Sequence, residues 1–200
     1  SVEVRNDWQR QRLQLQLQPQ ALKLASLLPF LPGEVQADVR GALNGRLRLE
    51  RTASTNRCQG QLDLTDLRWA PGGAMEPLTS ARLDLRCSPQ GLRLASSPLR
   101  WSGWRGQLQG EFPLVGARSN QLQLQLQARE PKAGHSFSAA LAGPLAELQL
   151  QLDGQLAGVA LATQPPQPLV FKAQALLRNQ AGLSAELKRL LLRQGGGELV

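Results

Sequence analysis

The sequence predicts an all-β fold: an elongated, curved antiparallel β-sheet of the β-taco or repeat-sheet kind, with one short helix near 20–31. Three observations carry that expectation. A strict two-residue alternation is written three times, as "LQLQLQ" (13–18), "QLQLQLQ" (121–127) and "LQLQL" (148–152). Turn residues separate short alternating runs along the rest of the chain. Alternation, rather than continuous apolar runs, means one buried and one wet face.

The elements follow in order. "GALNGRLRLE" (41–50) puts Leu43, Leu47 and Leu49 on one face, with Asn44, Arg46 and Arg48 opposite. "GQLDLTDLRW" (60–69) places Leu62 and Leu64 together, then changes phase at Leu67 and Trp69. A one-residue slip at Thr65–Asp66 predicts a β-bulge or a bend. "ARLDLRC" (81–87), "GLRL" (91–94), "GQLQGEF" (106–112), "ELQLQLDGQL" (147–156) and "LVFKAQALL" (169–177) continue the pattern. "PGG" (71–73), "SPQG" (88–91), "REPKAG" (129–134) and "TQPPQP" (163–168) supply turns between them.

Two stretches carry helical spacing. In "QALKLASLLPFL" (20–31), Leu24, Leu27, Leu28 and Leu31 fall on one helical face after Pro19, with Pro29 interrupting. "GLSAELKRLLLRQ" (182–194) also reads as a helix when taken alone, with Ser184 near its start. An internal match overrides the second. Shifted by 91 residues, 78–108 lies on 169–199 without a gap; Leu85 falls on Leu176, Gly91 on Gly182, Leu99 on Leu190 and Gly106 on Gly197. The match makes 183–193 a strand and suggests a sheet that grows by repetition. The chain therefore reads as one continuous β-repeat segment over 1–200, with possible repeat halves 41–128 and 136–200. Its ends, "SVEV" and "GGGELV", read as strands cut from a longer protein.

Composition bounds the function. The chain has 200 residues, of which 42% are hydrophobic but only 4% aromatic, with no Tyr and no Ile. Sheet cores favour β-branched and aromatic residues, so a Leu-dominated face reads as a smooth oily wall. A single sheet must cover such a face by folding onto a second sheet, by closing into a barrel, or by curling round something greasy. Dense Leu suits the third. Strands lie ~4.8 Å apart, so a dozen would line a trough roughly 55–60 Å long. An acyl chain laid there would gain ~0.8 kcal/mol per buried methylene. The candidate wall is Leu62, Leu64, Leu83, Leu85, Leu108, Leu122, Leu124, Leu126, Leu148, Leu150 and Leu152.

Cys58 is in phase with Leu62 and Leu64, and Cys87 with Leu83 and Leu85, so both thiols point to the apolar side. They either join in a disulfide, in an oxidising compartment, or pack as small hydrophobes. Trp69 ends a strand, and Trp101 and Trp104 flank "WSGW"; they either plug strand ends or form an aromatic mouth.

Net charge is +8, carried mostly by singly scattered Arg. That charge favours polyanions, but no basic helix and no aromatic–basic RNA-recognition motif accompanies it, so no nucleic-acid partner is expected. The one histidine, His135, falls in "KAGHSFS", read as a loop. One His and two distant Cys make no zinc spacing. No nucleophile elbow, phosphate loop or dinucleotide fingerprint is present. Neither a catalytic residue, a metal nor a cofactor is expected.

The phrases "LAGPLAELQLQLDGQLAG" (141–158) and "GEVQADVRGALNGRLRLE" (33–50) resemble those of the AsmA/TamB-like family of envelope proteins, in which "G-x-L-x-L" strands recur in a long taco-shaped sheet. The resemblance spans nearly the whole chain. It implies a periplasmic segment of an inner-membrane-anchored protein, phospholipid acyl chains in the groove, and a role in lipid movement or outer-membrane assembly. A second resemblance is to the N component of type II secretion systems. There an "LP" segment, a "G-x-L-x-L" strand, a Cys, a strand ending in Trp and a second Cys follow in order. Here "LLPFLPGEVQADVRGALNGRLRL", Cys58, "GQLDLTDLRW" and "LDLRC" match that order over roughly 10–130. It implies a scaffold that binds secretion proteins.

Overall fold

The computed structural model describes residues 2–7, 12–26, 38–52, 56–70, 76–114, 121–160, 166–179, 183–194 and 197–199. The fold is all-β and antiparallel. By contacts the chain divides into two units: residues 1–102 with 109–120, and residues 103–108 with 121–200.

The first unit holds β1 (Val2–Asp7), β2 (Arg12–Leu17), β3 (Leu22–Lys23), β4 (Asp38–Arg51), β5 (Asn56–Ala70), β6 (Leu78–Ser88) and β7 (Gly91–Trp101). It also holds the far half of β8 (Trp104–Pro113). Strands pair with their sequence neighbours, except that β4 takes both β2 and β3. Directly opposed residues share a face, so the register lines up whole rows. One row reads Leu17, Leu47, Gly60, Cys87, Leu92 across β2, β4, β5, β6 and β7. The next reads Gly45, Leu62, Leu85, Leu94. Gly60 is glycine for a reason: its φ is 124°, and a Cβ there would strike the Arg46 carbonyl oxygen of the facing strand. The core of this unit is Leu47, Cys58, Leu62 and Cys87, bordered by partly buried Leu17, Leu43, Leu49, Leu85, Leu92 and Leu114.

The predicted slip in β5 is a bulge. Arg40 pairs with Arg68 but Ala42 with Thr65, so β5 carries one extra residue, and Asp66 takes φ 52°. That residue moves Leu67 into phase with the apolar face of β4, where it would otherwise point to water.

The helix near 20–31 is not what the described part of that segment forms. Leu22 and Lys23 are strand β3, paired with Leu43 and Ala42, and only Leu24–Ser26 make a single 3₁₀ turn; residues 27–31 lie outside the described residues. The local reason is competition for backbone partners. Pro19 offers no N–H, its carbonyl accepts from Gly45 N at 3.2 Å, and Ala21 N donates to Asn44 Oδ1 at 2.7 Å. Those bonds hold the segment against β4 and leave helical leucine spacing without effect.

The polar face of this unit carries an awkward pair. Asp63 and Asp84 are directly opposed on β5 and β6, and like charges so placed repel. Arginines offset this. Arg82 Nε donates to Asp63 Oδ1 at 2.8 Å, and Arg86 Nη2 to Asp84 Oδ2 at 2.8 Å. The Arg86 hydrogen bond, aided by the charges of Arg86 and Arg82 and opposed by partial burial, holds the Asp84 carboxyl below its ordinary value.

The second unit holds the near half of β8, then β9 (Gln121–Glu130), β10 (His135–Pro144), β11 (Glu147–Val159), β12 (Gln167–Asn179), β13 (Leu183–Gln194) and β14 (Gly197–Leu199). Again each strand from β9 onward pairs with the next. Leu183–Gln194 is a strand, as the internal match predicts for 183–193, with a bulge against β12: Gln174 faces Arg189 but Ala175 faces Leu187, leaving Lys188 over. That extra residue is what gives "ELKRLLLRQ" its helical look.

Two outcomes test this packing. Leu62→Ala, at a site 8% exposed, should lower the unfolding free energy by about 2–5 kcal/mol in urea titrations. The Asp84 carboxyl is lowered in the folded state, so its contribution is present above the ordinary carboxylate pKa and lost as pH falls through the depressed value. Stability should therefore fall on acidification below about pH 4, and Asp84→Asn should flatten that part of the profile.

Candidate functional site

The second unit's apolar face is built of rungs. Leu124, Leu141, Leu150, Ala175 and Leu187 are successive register partners across β9 to β13. So are Leu126, Ala139, Leu152, Ala173 and Leu190. A third rung reads Ala128, Phe137, Gly154, Phe171, Leu192. Large and small residues alternate along the second rung and through most of the third, so bulky side chains stand beside small neighbours. Gly154 shows it most plainly: a Cβ there would run into the Phe171 ring.

Those rungs are half-covered. Leu122, Leu124, Leu126, Leu148, Leu150 and Leu152 are all of intermediate exposure. Among the described residues the buried hydrophobics are Leu47, Cys58, Leu62, Cys87, Leu99 and Ala128, and Ala128 alone of these lies in the second unit.

The predicted wall residues divide accordingly. In the first unit Leu62 faces Leu85 and Leu64 faces Leu83 on β5 and β6. Leu62 is closed into the core, whereas Leu64, Leu83 and Leu85 are half-exposed. In the second unit Leu122 faces Gly143, and Leu148 faces Leu177. The β9 leucines and the β11 leucines are not direct neighbours: β10 stands between them and contributes Leu141 and Ala139. Leu108 is half-exposed on the near half of β8. Sequence reasoning missed β10 because "SFSAALAG" alternates Phe, Ala and Leu with Ser and Ala, which blurs the polar side. The small residues of the rungs, Ala139, Ala173 and Gly154, carry no signal until the register is known.

His135 is not in a loop; the turn covers 131–134 and His135 opens β10. Its Nδ1 accepts from Ala157 N at 3.0 Å. Trp104 sits near it, with ring centroids 6.3 Å apart, and meets the Phe137 ring edge-on at 5.2 Å. Trp104 thus caps the Phe-rich rung, while Trp69 at the end of β5 is 38% exposed.

Cys58 and Cys87 sit at disulfide distance on neighbouring strands, with Cα atoms 5.3 Å apart and a sequence separation of 29. Both are buried beside Leu47 and Leu62. A bond there staples β5 to β6 within the core.

The polar face of the second unit is knitted by exposed ion pairs. Arg178 Nε meets Glu147 Oε2 at 3.1 Å, and its Nη1 meets Glu186 Oε2 at 3.3 Å. Lys172 pairs with Asp153 at 3.3 Å. The bond from Lys188 lowers the Glu186 carboxyl, and the bond to Glu147 raises the Arg178 guanidinium. Such exposed pairs set register more than they stabilise. Among the described residues no cluster of three His, Cys, Asp or Glu side chains is placed to hold a metal ion, and no helix is long and apolar enough to cross a membrane.

The chain matches no family model, no curated protein and no solved structure.

Thiol counting tests the cysteine pair. The unfolded, unreduced protein should show no free thiol, and reduction should release both. Closing a loop of this length is worth about 3–4 kcal/mol in the chain-entropy model, so reduction should lower the urea midpoint accordingly.

Proposed function

We propose that this chain is a non-catalytic β segment of an inner-membrane-anchored periplasmic protein, and that its leucine rungs hold or conduct phospholipid acyl chains between the inner and outer membranes in support of outer-membrane biogenesis. The observation that carries the reading is the half-exposure of Leu122, Leu124, Leu126, Leu148, Leu150 and Leu152 on one continuous face. A face of that kind gains free energy by covering itself with hydrocarbon, and it needs no polar contact to do so. Small residues at Ala139 and Ala173 separate Leu126, Leu152 and Leu190 along their rung, which gives a flexible chain room to settle between leucines. The resemblance to AsmA/TamB-like proteins supplies the compartment and the cargo.

A second reading has one observation in its favour. Cys58 and Cys87 stand at bonding distance on the two strands that the resemblance to secretion-system N proteins singles out. On that reading the first unit is a stapled scaffold for secretion proteins.

Lipid extraction and mass spectrometry of the purified chain separate the two. The acyl-chain reading expects copurifying phospholipid, largely lost in Leu124→Glu with strand content unchanged by circular dichroism. A protein free of lipid that captures secretion-system components would replace it with the scaffold reading.

A further inference from the structure

The tripeptide Leu-Arg-Trp occurs twice, at 67–69 and 99–101. Each copy lies at the end of a strand, β5 or β7, and antiparallel order brings both to the end of the first unit where β4 and β6 begin. Register assembles two rows there. Arg40, Arg68, Thr79 and Arg100 are successive partners across β4 to β7. Val39, Trp69 and Leu78 are successive partners in the next row, and Trp101 follows Arg100 on β7. Neighbouring residues along a strand point to opposite faces. The arginines therefore stand on the polar face, and the tryptophans continue the leucine face of β4. On each of the four strands the apolar residue is one position nearer the strand end than its polar neighbour.

Much of this end is uncovered. Trp69 is 38% exposed, and Arg40, Arg68 and Arg100 are all exposed. Arg40 and Arg68 are directly opposed, an arrangement that repels. Asp38 offsets Arg40 at 3.1 Å, but Arg68 and Arg100 make no ion pair among the described residues. Glu76 is the other described acid beyond the two rows, exposed ahead of Leu78. Thr79 fixes the arginine row through its hydroxyl, which donates to the Arg100 carbonyl at 3.3 Å.

A folded partner meets one face of a sheet. Exposed tryptophan on one face and unpaired arginine on the other, at the same end, suit a medium that surrounds the strand ends. The headgroup layer of a bilayer is such a medium: indole rings settle at its level, and arginine reaches from an apolar setting to the charged layer. The order of depth agrees, because the apolar row enters first and the guanidinium row stays above it. We infer that this end of the first unit, with Trp69 leading and Arg68 and Arg100 behind, seats in the headgroup layer of a phospholipid bilayer that contains anionic lipid. It does not rest on the acyl-chain reading, because it uses strand ends of the first unit and not the leucines of β9 and β11.

Cosedimentation of the full chain with vesicles tests it, using phosphatidylcholine with and without phosphatidylglycerol. Anionic vesicles should bind the protein more tightly. The double variant Arg68→Gln, Arg100→Gln should lose roughly ten- to thirty-fold on them, as expected for two arginines at an anionic surface. Trp69→Ser should weaken binding to both kinds of vesicle. Brominated phospholipid should quench tryptophan fluorescence in the wild type, and quench it less in Trp69→Ser at equal bound fraction. Arg93→Gln, on the same polar face but away from this end, should bind as the wild type does. All these side chains are exposed, so the variants should keep the wild-type circular dichroism. No binding to either vesicle overturns the inference, as does an equal loss in Arg93→Gln, which assigns the effect to general charge. Vesicle binding that is lost in Leu124→Glu and kept in the arginine variant also overturns it and assigns the contact to the leucine face. Capture of polyglutamate through Arg68 and Arg100 without vesicle binding assigns this end to an acidic protein instead. Copurifying phospholipid lost in Leu124→Glu, with no vesicle binding by the wild type, sinks this inference and leaves the acyl-chain reading in place.

Discussion

Everything in this protein depends on a parity rule. Side chains along a strand alternate between faces, and directly opposed residues in an antiparallel ladder share a face. Leucines at every second position therefore become one oily surface only if every register is held. A one-residue slip in any strand would turn its leucines into water and its arginines and glutamines onto the apolar side. Among the described residues the chain tolerates an extra residue at three points, Asp66, Lys188 and between Leu156 and Val159, by making it a bulge. At Asp66 the bulge restores parity for Leu67. At Lys188 it lets both Leu187 and Leu190 belong to rungs although they are three residues apart.

The two units meet the same burden differently. The first concentrates burial: Leu47, Cys58, Leu62 and Cys87 form a compact cluster, and the cysteine pair stands where it can fix the β5–β6 register covalently. The second spreads burial thinly, with Phe137 and Phe171 flanking Gly154 and with leucines opposite alanines. Fully burying a leucine is worth about 1.5–3 kcal/mol, and half-exposed rungs forgo much of that. The polar side does not make up the difference, since its ion pairs are exposed and such pairs contribute little. The second unit is therefore held mainly by its ladders and by lateral contact along the rungs. Its leucines on β9 and β11 remain of intermediate exposure.

Strand positions and the identity of the apolar face were legible in the sequence because both follow from period alone. The bulge at Thr65–Asp66 was legible for the same reason: a phase change in an otherwise regular string has few structural meanings. The segment after Pro19 was not legible. Its helical leucine spacing is real, but Asn44 and Gly45, more than twenty residues away, supply its backbone partners. The strand of His135 was hidden because serine and alanine blur an alternation that glutamine and leucine make sharp. For the candidate site, the leucines could be named from the string but their neighbours could not. Which small residue sits beside which leucine is a property of register, and nothing local encodes it.

The stretch 182–194 shows how far local pattern and long-range pairing can diverge. Helical spacing and a bulged strand produce the same string when the bulge falls at Lys188, because both place leucines three and four residues apart. What decides between them is whether a ladder partner exists, and β12 supplies one along Leu169–Asn179. Once β13 is bound on that side, its other side inherits the consequences of being a strand. A helix with the same residues would satisfy its backbone internally and would only have to cover one stripe. As a strand, β13 takes its backbone partners from β12 along its length and from β14 at Leu192–Gln194.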